Sequence, residues 1–585
     1  RRQLSSSTAV VESQFDPPRR RSLDAMQVGA LYQGYGTHYI DLWVGTPAQR
    51  QTLIVDTGSG FTAFPCSECD AKTCGDGFHI DTFFDEQQSS SYEKVACQDC
   101  QRGSCSHDSC KVSIHYAEGS SWNAFEARDR VYIGGPHDHD LVSDNGGSSD
   151  LDPGHAFAFS FNMVFGCQTA ITGLFKTQLA DGIMGMDDAK TAFWSQMRAA
   201  KIISDKKFSL CFTRQPIADK EGTEAGAMTL GGYDDRLHSS PMVYTNRASG
   251  GRAGFYTVHV RKLYLRHGSG GESSKSSNKS AQLVAVNVSE DQLNRGNGVI
   301  VDSGTTDTSF SSGIAKEFKK AFEQLSGGLA YSQKGVTLTE DELRALPTVL
   351  IQIAGDDAYN KKLYPKDPNK VNGLAGADVD PEHPYDVLLA IPPSHYMEYS
   401  DTKKKYVNRF YFDSSSGVIG ANAMMGHDIY FNVDDKRIGW AESDCDYHEL
   451  VTSAGFVDSL VEGGGTSIKP ETTTTTADDD DDQEDHPTPD DDCSDIKCRG
   501  ITAAAVIGFL AVGLAVGRTC RRGKSSSSGQ YHVAGTGDVE LSSGLESYNT
   551  EDDGELRYRD DAGDDVAPEG TGYKDDATAV IPEMA

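Results

Sequence analysis

The chain carries the same short motif twice, and this duplication constrains the fold more than any other feature. The copies are Leu53–Gly60 and Val299–Thr306, and each runs from an apolar, β-rich stretch into Asp, a hydroxyl residue, Gly and a second hydroxyl residue. Each copy is followed more than a hundred residues later by two apolar residues and a glycine, at Ile183–Gly185 and Val418–Gly420. Two copies in the same order predict a duplicated scaffold in which two equivalent strands each end on an aspartate.

The residue types in the motif predict a site built from two carboxylates. Loops that face each other would bring Asp56 and Asp302 together, and like charges so close share one proton. One carboxyl group would then act as a base and the other as an acid. A water molecule held between them would be the nucleophile that attacks a peptide carbonyl.

The other motif residues are expected to support the aspartates. Glycine lets the backbone bend sharply and lets another main chain approach closely. The second hydroxyl residue of each copy is expected to donate a hydrogen bond to the adjacent carboxylate, and the first to bond across to the opposite loop. In chain order these are Thr57, Gly58 and Ser59, then Ser303, Gly304 and Thr305.

Between Leu31 and Cys445 the sequence is typical of an all-β protein. Short runs rich in Val, Ile, Tyr and Phe alternate with Gly, Asn, Asp and Ser, which predicts antiparallel strands. Only a few short helices are expected, around Phe193 and Phe318. The net charge of −33 argues against a nucleic-acid partner, because binding phosphates requires clustered Lys and Arg.

One segment is expected to span a membrane. Residues 501–517 (ITAAAVIGFLAVGLAVG) carry no charge, and their length lies at the short end of the spanning range. Four basic residues follow between Arg518 and Lys524, which marks the cytoplasmic side. We therefore expect a single-pass type I protein of the secretory-pathway or plasma membrane, with its large N-terminal part lumenal or extracellular.

This topology places twelve of the 13 cysteines in an oxidising compartment, where an even number favours disulfides. Two C-x-x-C pairs would also suit a zinc site, although the compartment makes disulfides the preferred reading, with no metal or cofactor expected. Asn278 and Asn287 lie in N-x-S sequons and are candidate glycan sites. Seven cysteines are crowded into one stretch: Cys66, Cys69, Cys74, Cys97, Cys100, Cys105 and Cys110.

The chain from about Leu31 to Cys445 resembles the pepsin-like aspartic proteases. Tyr39–Asp56 is similar to the family's strand, Gly-Thr-Pro and first catalytic strand, and Ala180–Gly185 to its Asp-Gly-Ile-x-Gly segment. The resemblance implies a bilobal pair of β-barrels with a cleft between them. It also implies polypeptide substrates and a monomer.

The resemblance places the substrate-covering flap at Ile114–Ser120 (IHYAEGS), with Tyr116 as the flap tyrosine and Gly119 in its turn. Most pepsins have a tryptophan shortly after the first motif that donates a hydrogen bond to this tyrosine. Here that region contains Phe64, which has no such donor. Trp122 either replaces it or serves only as a core residue.

The cysteine-dense insert, residues 66–110, resembles that of nepenthesin-like enzymes. Adding Cys167 gives eight cysteines, enough for four bridges. The family likeness also implies a Cys211–Cys445 bridge, and Cys493 would then pair with Cys498.

The insert, the flap and the span together resemble the plasmepsin V branch, whose members process secretory proteins at Arg-x-Leu-type motifs. There a flap acid binds the substrate arginine, and the matching residue is Glu118; the alternative is a solvated charge at the flap tip. A membrane-anchored β-secretase-like sheddase also fits the topology. A non-catalytic binding module on the same fold is a third reading.

These observations divide the chain into six parts. They are an N-terminal extension (1–30), an N-terminal lobe (31–205) containing the insert, a C-terminal lobe (206–450), a Thr-rich acidic stalk (451–500), the transmembrane helix (501–517) and a disordered acidic cytoplasmic tail (518–585).

Overall fold

Short β-strands make up most of the regular structure, as their alternating residue pattern predicts. The structure, a computed structural model, describes residues 26–452 except 70, 76–77, 135–157, 214–221, 268–281, 297, 333 and 401–402. The first strands are β1 (Gln27–Gln33), β2 (His38–Val44), β3 (Gln49–Asp56), β4 (Ala63–Pro65), β5 (Glu93–Lys94), β6 (Ser104–Ser106), β7 (Ser109–His115), β8 (Ser121–Ile133), β9 (Phe161–Ile171), β10 (Gly182–Gly185), β11 (Lys207–Phe212), β12 (Glu224–Leu230) and β13 (Val243–Asn246). The later strands are β14 (Thr257–Val258), β15 (Val260–Arg266), β16 (Leu283–Ala285), β17 (Val299–Val301), β18 (Thr308–Ser311), β19 (Thr348–Ile353), β20 (Val387–Ile391), β21 (Met397–Ser400), β22 (Lys405–Asn408), β23 (Phe410–Ser414), β24 (Val418–Ile419), β25 (His427–Asn432) and β26 (Arg437–Glu442).

The helices of the described residues are short, and both expected ones are present. The helix Ala315–Leu325 buries Phe318, Ala321, Phe322 and Leu325, a spacing that places them on one face. The α-helices are Ala71–Cys74, Phe193–Ala199, Glu290–Leu293, Ala315–Leu325, Glu340–Arg344, Asp357–Leu363, Gly376–Val379, Pro393–Tyr396, Ala421–Met424 and Tyr447–Thr452. The 3₁₀ helices are Glu86–Gln88, Cys97–Asp99, Gly173–Lys176, Asp235–Leu237, Ser312–Ile314 and Pro368–Lys370.

The two motif copies sit in matching strand arrangements. Strand β3 pairs in parallel with β10, which pairs antiparallel with β4. In the second half β17 pairs in parallel with β24, which pairs antiparallel with β18. The third strand of each set then pairs in parallel with a further strand, β4 with β9 and β18 with β23. The sequence duplication is therefore also a duplication of topology.

Strands from both halves share one large sheet of 15 strands, and three smaller sheets complete the second half. The smaller sheets have five, four and two strands, in the orders β14-β17-β24-β18-β23, β16-β15-β19-β20 and β21-β22. A mainly β protein with a few short helices is thus confirmed, and it is consistent with the bilobal pepsin-like fold.

The predicted membrane segment, the stalk, the tail, Asn278 and the Cys493–Cys498 pair lie outside the described residues. Within the described part of the chain, no helix combines the length and the apolar character needed to cross a bilayer. Asn287 is exposed, between β16 and the helix that begins at Glu290.

The eight cysteines of the insert region form four disulfides with one another. Because every one of them is paired, none offers a thiolate to zinc, and the zinc interpretation of the C-x-x-C pairs is wrong for these residues. The bridges are Cys66–Cys167, Cys69–Cys74, Cys97–Cys105 and Cys100–Cys110, and a fifth joins Cys211 to Cys445.

Candidate active site

The first carboxylate is held by its own loop. Asp56 ends β3 and is 1% exposed. The Gly58 N–H donates to Asp56 Oδ1 at 2.8 Å, and the Ser59 hydroxyl donates to Asp56 Oδ2. These two donors fix the orientation of the carboxyl group.

The second carboxylate has the same environment. Asp302 follows β17 and is fully buried. The Gly304 N–H donates to Asp302 Oδ1 at 3.0 Å, and Thr305 Oγ1 donates to Oδ2 at 2.7 Å. The two loops therefore hold their aspartates in equivalent ways.

The two loops are also bonded directly to each other. Thr57 N donates to Ser303 Oγ at 3.0 Å, and Ser303 N donates to Thr57 Oγ1 at 2.9 Å. Each hydroxyl then donates to the strand before the opposite aspartate, Thr57 Oγ1 to the Val301 carbonyl at 3.0 Å and Ser303 Oγ to the Val55 carbonyl at 2.7 Å. This reciprocal set fixes the separation of the two halves.

The motif glycines bring each loop against the opposite carboxylate. A Cβ atom added to Gly58 would lie 2.7 Å from both carboxylate oxygens of Asp302. A Cβ atom on Gly304 would collide with Asp56 Oδ1 and would lie 2.6 Å from Asp56 Cγ. Only glycine leaves room for the carboxyl groups to meet.

Burial and proximity favour a protonated dyad. Burial, together with the charge of Asp302, raises the pKa of Asp56 well above its ordinary value. Burial also raises the pKa of Asp302, but hydrogen bonds from Thr305 and Asp56 stabilise its ionised form. The pair is therefore expected to share one proton between the two carboxyl groups.

A cleft of about 390 Å³ is lined by Asp56 and Gly304–Asp307 from the two motif loops. Tyr116 and Glu118, from the turn between β7 and β8, also line it. Gly119 has a φ of +97°, which explains a glycine in the flap turn. Tyr116 is buried, whereas Glu118 is exposed, so the flap places an aromatic ring near the dyad and a carboxylate at the rim.

The flap tyrosine receives a hydrogen bond from Trp122. Trp122 Nε1 donates to Tyr116 Oη at 3.1 Å, and the Trp122 ring stacks on Phe61 with centroids 6.4 Å apart. Of the two roles considered for Trp122, the structure shows the first. Its indole provides the donor that Phe64 lacks, and it comes from the flap strand rather than from the segment after the motif.

Replacing Trp122 by Phe should lower kcat/KM about tenfold, because the lost bond and indole leave the flap tyrosine less well positioned. Steady-state kinetics on a peptide substrate would measure this effect. Trp43→Phe is a suitable control, because that indole instead donates to the Gly134 carbonyl. An unchanged kcat/KM for the folded Trp122 variant would contradict the assigned role.

Several cleft residues carry no sequence motif that would have identified them. Asp307 lines the cleft and forms an ion pair with Arg409, whose Nε is 2.8 Å from Asp307 Oδ1. It lies five residues after Asp302, and this position directly after the second motif is the sequence feature that could have indicated it. Tyr35 and Leu174 are exposed apolar residues at the rim. Their flanking glycines indicate turns, but no sequence pattern indicates that these turns meet at the cleft.

Comparisons with known proteins agree with this geometry. The model of the xylanase inhibitor N-terminal family matches residues 38–232. Aspartic protease 5 of Toxoplasma gondii is 29% identical over 247 residues, covering 38% of this chain and 22% of the relative. Plasmepsin V of Plasmodium falciparum is 28% identical over 159 residues, covering 27% and 23%. Nepenthesin-1 of Nepenthes gracilis is 27% identical over 325 residues, covering 52% and 61%.

The matched region spans less than a quarter of the first two relatives and 61% of the third. Two of the three names, those of the Toxoplasma gondii and Nepenthes gracilis relatives, are names of aspartic proteases, and the duplicated Asp loops accord with such an enzyme. The chain is therefore similar to pepsin-like aspartic proteases, including members of the plasmepsin V and nepenthesin branch.

Proposed function

We propose that this protein is an aspartic endopeptidase that hydrolyses peptide bonds with a water molecule activated by Asp56 and Asp302. The observation that carries the proposal is the mutual placement of two buried carboxyl groups, each oriented by its own loop and each lying against the glycine of the other. Supporting evidence comes from the names of the relatives.

The protonation state of the dyad determines the order of proton transfers. Ionised Asp302 accepts a proton from the attacking water, while Asp56 donates its proton to the carbonyl oxygen of the scissile bond. A tetrahedral diol results. Asp302 then gives its proton to the leaving amine and Asp56 recovers one from the diol, so that both products leave neutral and the dyad returns to its starting state.

The flap is proposed to assist by excluding bulk water. Tyr116 lines the cleft with Asp56, and its ring lies 5.1 Å from that of Phe175. A dry cleft strengthens the electrostatic interactions on which the dyad depends. Gly119 lets the flap turn tightly.

Incubating the purified full-length protein in detergent with a peptide library is the direct test. Cleavage that requires both aspartates supports the proposal. If the folded protein binds peptides without cleaving them, the proposal fails in favour of a binding module.

We further propose that Glu118 binds a basic substrate side chain, consistent with processing at Arg-x-Leu-type motifs. Its carboxylate is exposed at the rim and lines the same cleft as the dyad. A carboxylate offers arginine a bidentate, charge-assisted contact.

Replacing Glu118 by Gln should lower kcat/KM about tenfold for peptides with arginine in the recognition position, because the charge-assisted bond is lost. Matched peptides with norleucine in place of arginine should change less than twofold. Equal losses on both sets would remove arginine recognition.

We propose that the enzyme acts in the secretory pathway, anchored by residues 501–517 with its catalytic part on the lumenal side. Five disulfides in the described residues support an oxidising compartment. The exposed sequon residue Asn287 is proposed to carry a glycan. Mass spectrometry of Asn287→Gln would test the glycan: the variant should lose the mass of one glycan, and an unchanged glycan mass would contradict the proposal.

A further inference from the structure

The cleft has one wall that depends on the cysteine-rich insert. The wall is the irregular segment between β9 and β10, and its members facing the cleft are Leu174, Phe175, Thr177, Gln178, Leu179 and Ala180. Leu174 is 62% exposed, and a single 3₁₀ turn, Gly173–Lys176, is the regular structure within the segment. Because the segment has little regular structure, its contacts with neighbouring elements help to set its position.

At one end the wall is attached to the base of the flap. The Leu174 N–H donates to Ser120 Oγ at 2.9 Å, and the Thr172 N–H donates to the Ser121 carbonyl at 2.8 Å. Gly173 has a φ of +60°, and a Cβ there would collide with Ser120. The position of this end of the wall is therefore tied to the position of the flap.

At the other end the wall is attached to the first loop of the insert, defined here as Cys69–Asp81 without residues 70, 76 and 77, which lie outside the described residues. The Ile80 N–H donates to the Leu179 carbonyl at 3.2 Å, and His79 Nδ1 lies 3.1 Å from the Ala180 carbonyl oxygen. Burial lowers the pKa of His79, so the ring is neutral and can donate through Nδ1.

The middle of the wall also contacts this loop. Lys176 Nζ donates to the Lys72 carbonyl at 3.5 Å, and a Cβ on Gly75 would lie 3.2 Å from the Lys176 carbonyl oxygen. The loop thus contacts the wall at Lys176 as well as at Leu179 and Ala180.

The Cys69–Cys74 disulfide links two residues of this loop. Both cysteines are buried in the apolar cluster that contains Phe175 of the wall and Tyr116 and Trp122 of the flap. The bridge therefore packs in the same apolar cluster as residues of the wall and of the flap.

We propose that the Cys69–Asp81 loop, which carries the Cys69–Cys74 disulfide, is a positioning element that sets the wall of the substrate cleft and so determines substrate affinity. The inference rests on the proposed peptidase function. It assigns the first loop of the insert to substrate binding and leaves the chemistry to the dyad, whose hydrogen bonds come from other loops.

The Cys97–Cys105 bridge provides a matched control. It lies in the second loop of the insert, which is held by Glu126 of β8; the carboxylate accepts the N–H groups of Gln101 and Arg102 at 2.7 Å. Removing this bridge deletes a disulfide of similar span. The sequence separation of the paired cysteines is 5 in Cys69–Cys74 and 8 in Cys97–Cys105.

The experiment compares Cys69→Ala/Cys74→Ala with Cys97→Ala/Cys105→Ala in the full-length protein, using the peptide that the parent cleaves best. We expect KM to rise about tenfold in the first variant with kcat within about twofold, and both constants to stay within about twofold in the second. Equal increases in KM in both variants, or no increase in the first, would overturn the proposal.

Hydrogen exchange separates this inference from the proposed function, because it needs no activity. Amides of residues 79–80 and 172–181 should exchange faster in the first variant than in the second. Unchanged exchange there would contradict the inference even if the enzyme is active. If Cys69→Ala/Cys74→Ala fails to fold, His79→Ala replaces it in both experiments. We expect the same rise of about tenfold in KM, and an unchanged KM or unchanged exchange of residues 172–181 would contradict the inference.

Discussion

Replacing Asp56 by Asn should abolish most of the peptidase activity, with kcat falling by about 10³-fold. Asparagine keeps the shape, and its Oδ1 can accept the Gly58 hydrogen bond while its amide donates to the Ser59 hydroxyl, but it cannot supply the proton that the carbonyl oxygen needs. Asp302→Asn should fall as far, because the water then loses its base. Steady-state or single-turnover kinetics on the best-cleaved peptide would measure both losses.

A buried carboxylate away from the cleft is the matched control. Asp129 is 1% exposed and accepts hydrogen bonds from Ser89 at 2.7 Å and Ser91 at 2.6 Å. Asp129→Asn should keep kcat within about twofold of the parent, because the substitution retains an acceptor there. Substantial activity in either dyad variant would mean that another group activates the water.

The Asn variant should also differ from the parent in its pH-dependent stability. A carboxyl group whose pKa is raised in the folded state stabilises the fold below its unfolded-state pKa, and that stability is lost as pH rises through the folded-state pKa. Asparagine does not ionise. The thermal midpoint of Asp56→Asn should therefore fall less between acidic and neutral pH than that of the parent.

Replacing Gly304 by Ala should reduce both the stability of the fold and the rate of catalysis. The added Cβ would overlap Asp56 Oδ1, so the carboxylate or the whole loop must move. We expect a loss of about 1–3 kcal/mol in the free energy of unfolding. A shift of about 1 Å in the dyad should also lower kcat about 10²-fold.

Gly313 is the control for this substitution. A Cβ there would have its nearest neighbour at 3.8 Å, the Gln292 Nε2 atom, and its φ is not in the left-handed region. Gly313→Ala should change the free energy of unfolding by less than about 0.5 kcal/mol and leave kcat unchanged. Chemical denaturation and kinetics would measure both variants. Parent-like activity in Gly304→Ala would contradict the close approach of the two loops.

The duplicated motif allowed the centre of the molecule to be predicted because its residues interact locally. A glycine two positions after an aspartate and a hydroxyl three positions after it reach the carboxylate within one turn, as Gly58 and Ser59 do. The apolar-apolar-Gly segment that follows each motif could also be matched to its motif strand. The Ile183–Gly185 segment lies beside β3 because an apolar run of that length fills a buried parallel strand.

Residues that meet through long-range contacts were harder to predict. Trp122 reaches Tyr116 only because β7 and β8 form a hairpin, and the sequence alone left its role open. The contact between His79 and Ala180 joins residues 101 positions apart and leaves no periodic pattern. The pairing of the insert cysteines was equally undetermined, since eight cysteines allow about 105 connectivities.

The pH dependence of kcat/KM in the parent tests the central claim most directly, namely that one proton is shared by two buried carboxyl groups. Because activity needs one protonated and one ionised aspartate, the profile should be bell-shaped, with both limbs belonging to the dyad. Burial raises the pKa of Asp56, so the alkaline limb should lie well above the ordinary range of an aspartate. A profile with a single limb, or one whose bell shape persists with residual activity in Asp56→Asn, would contradict the account.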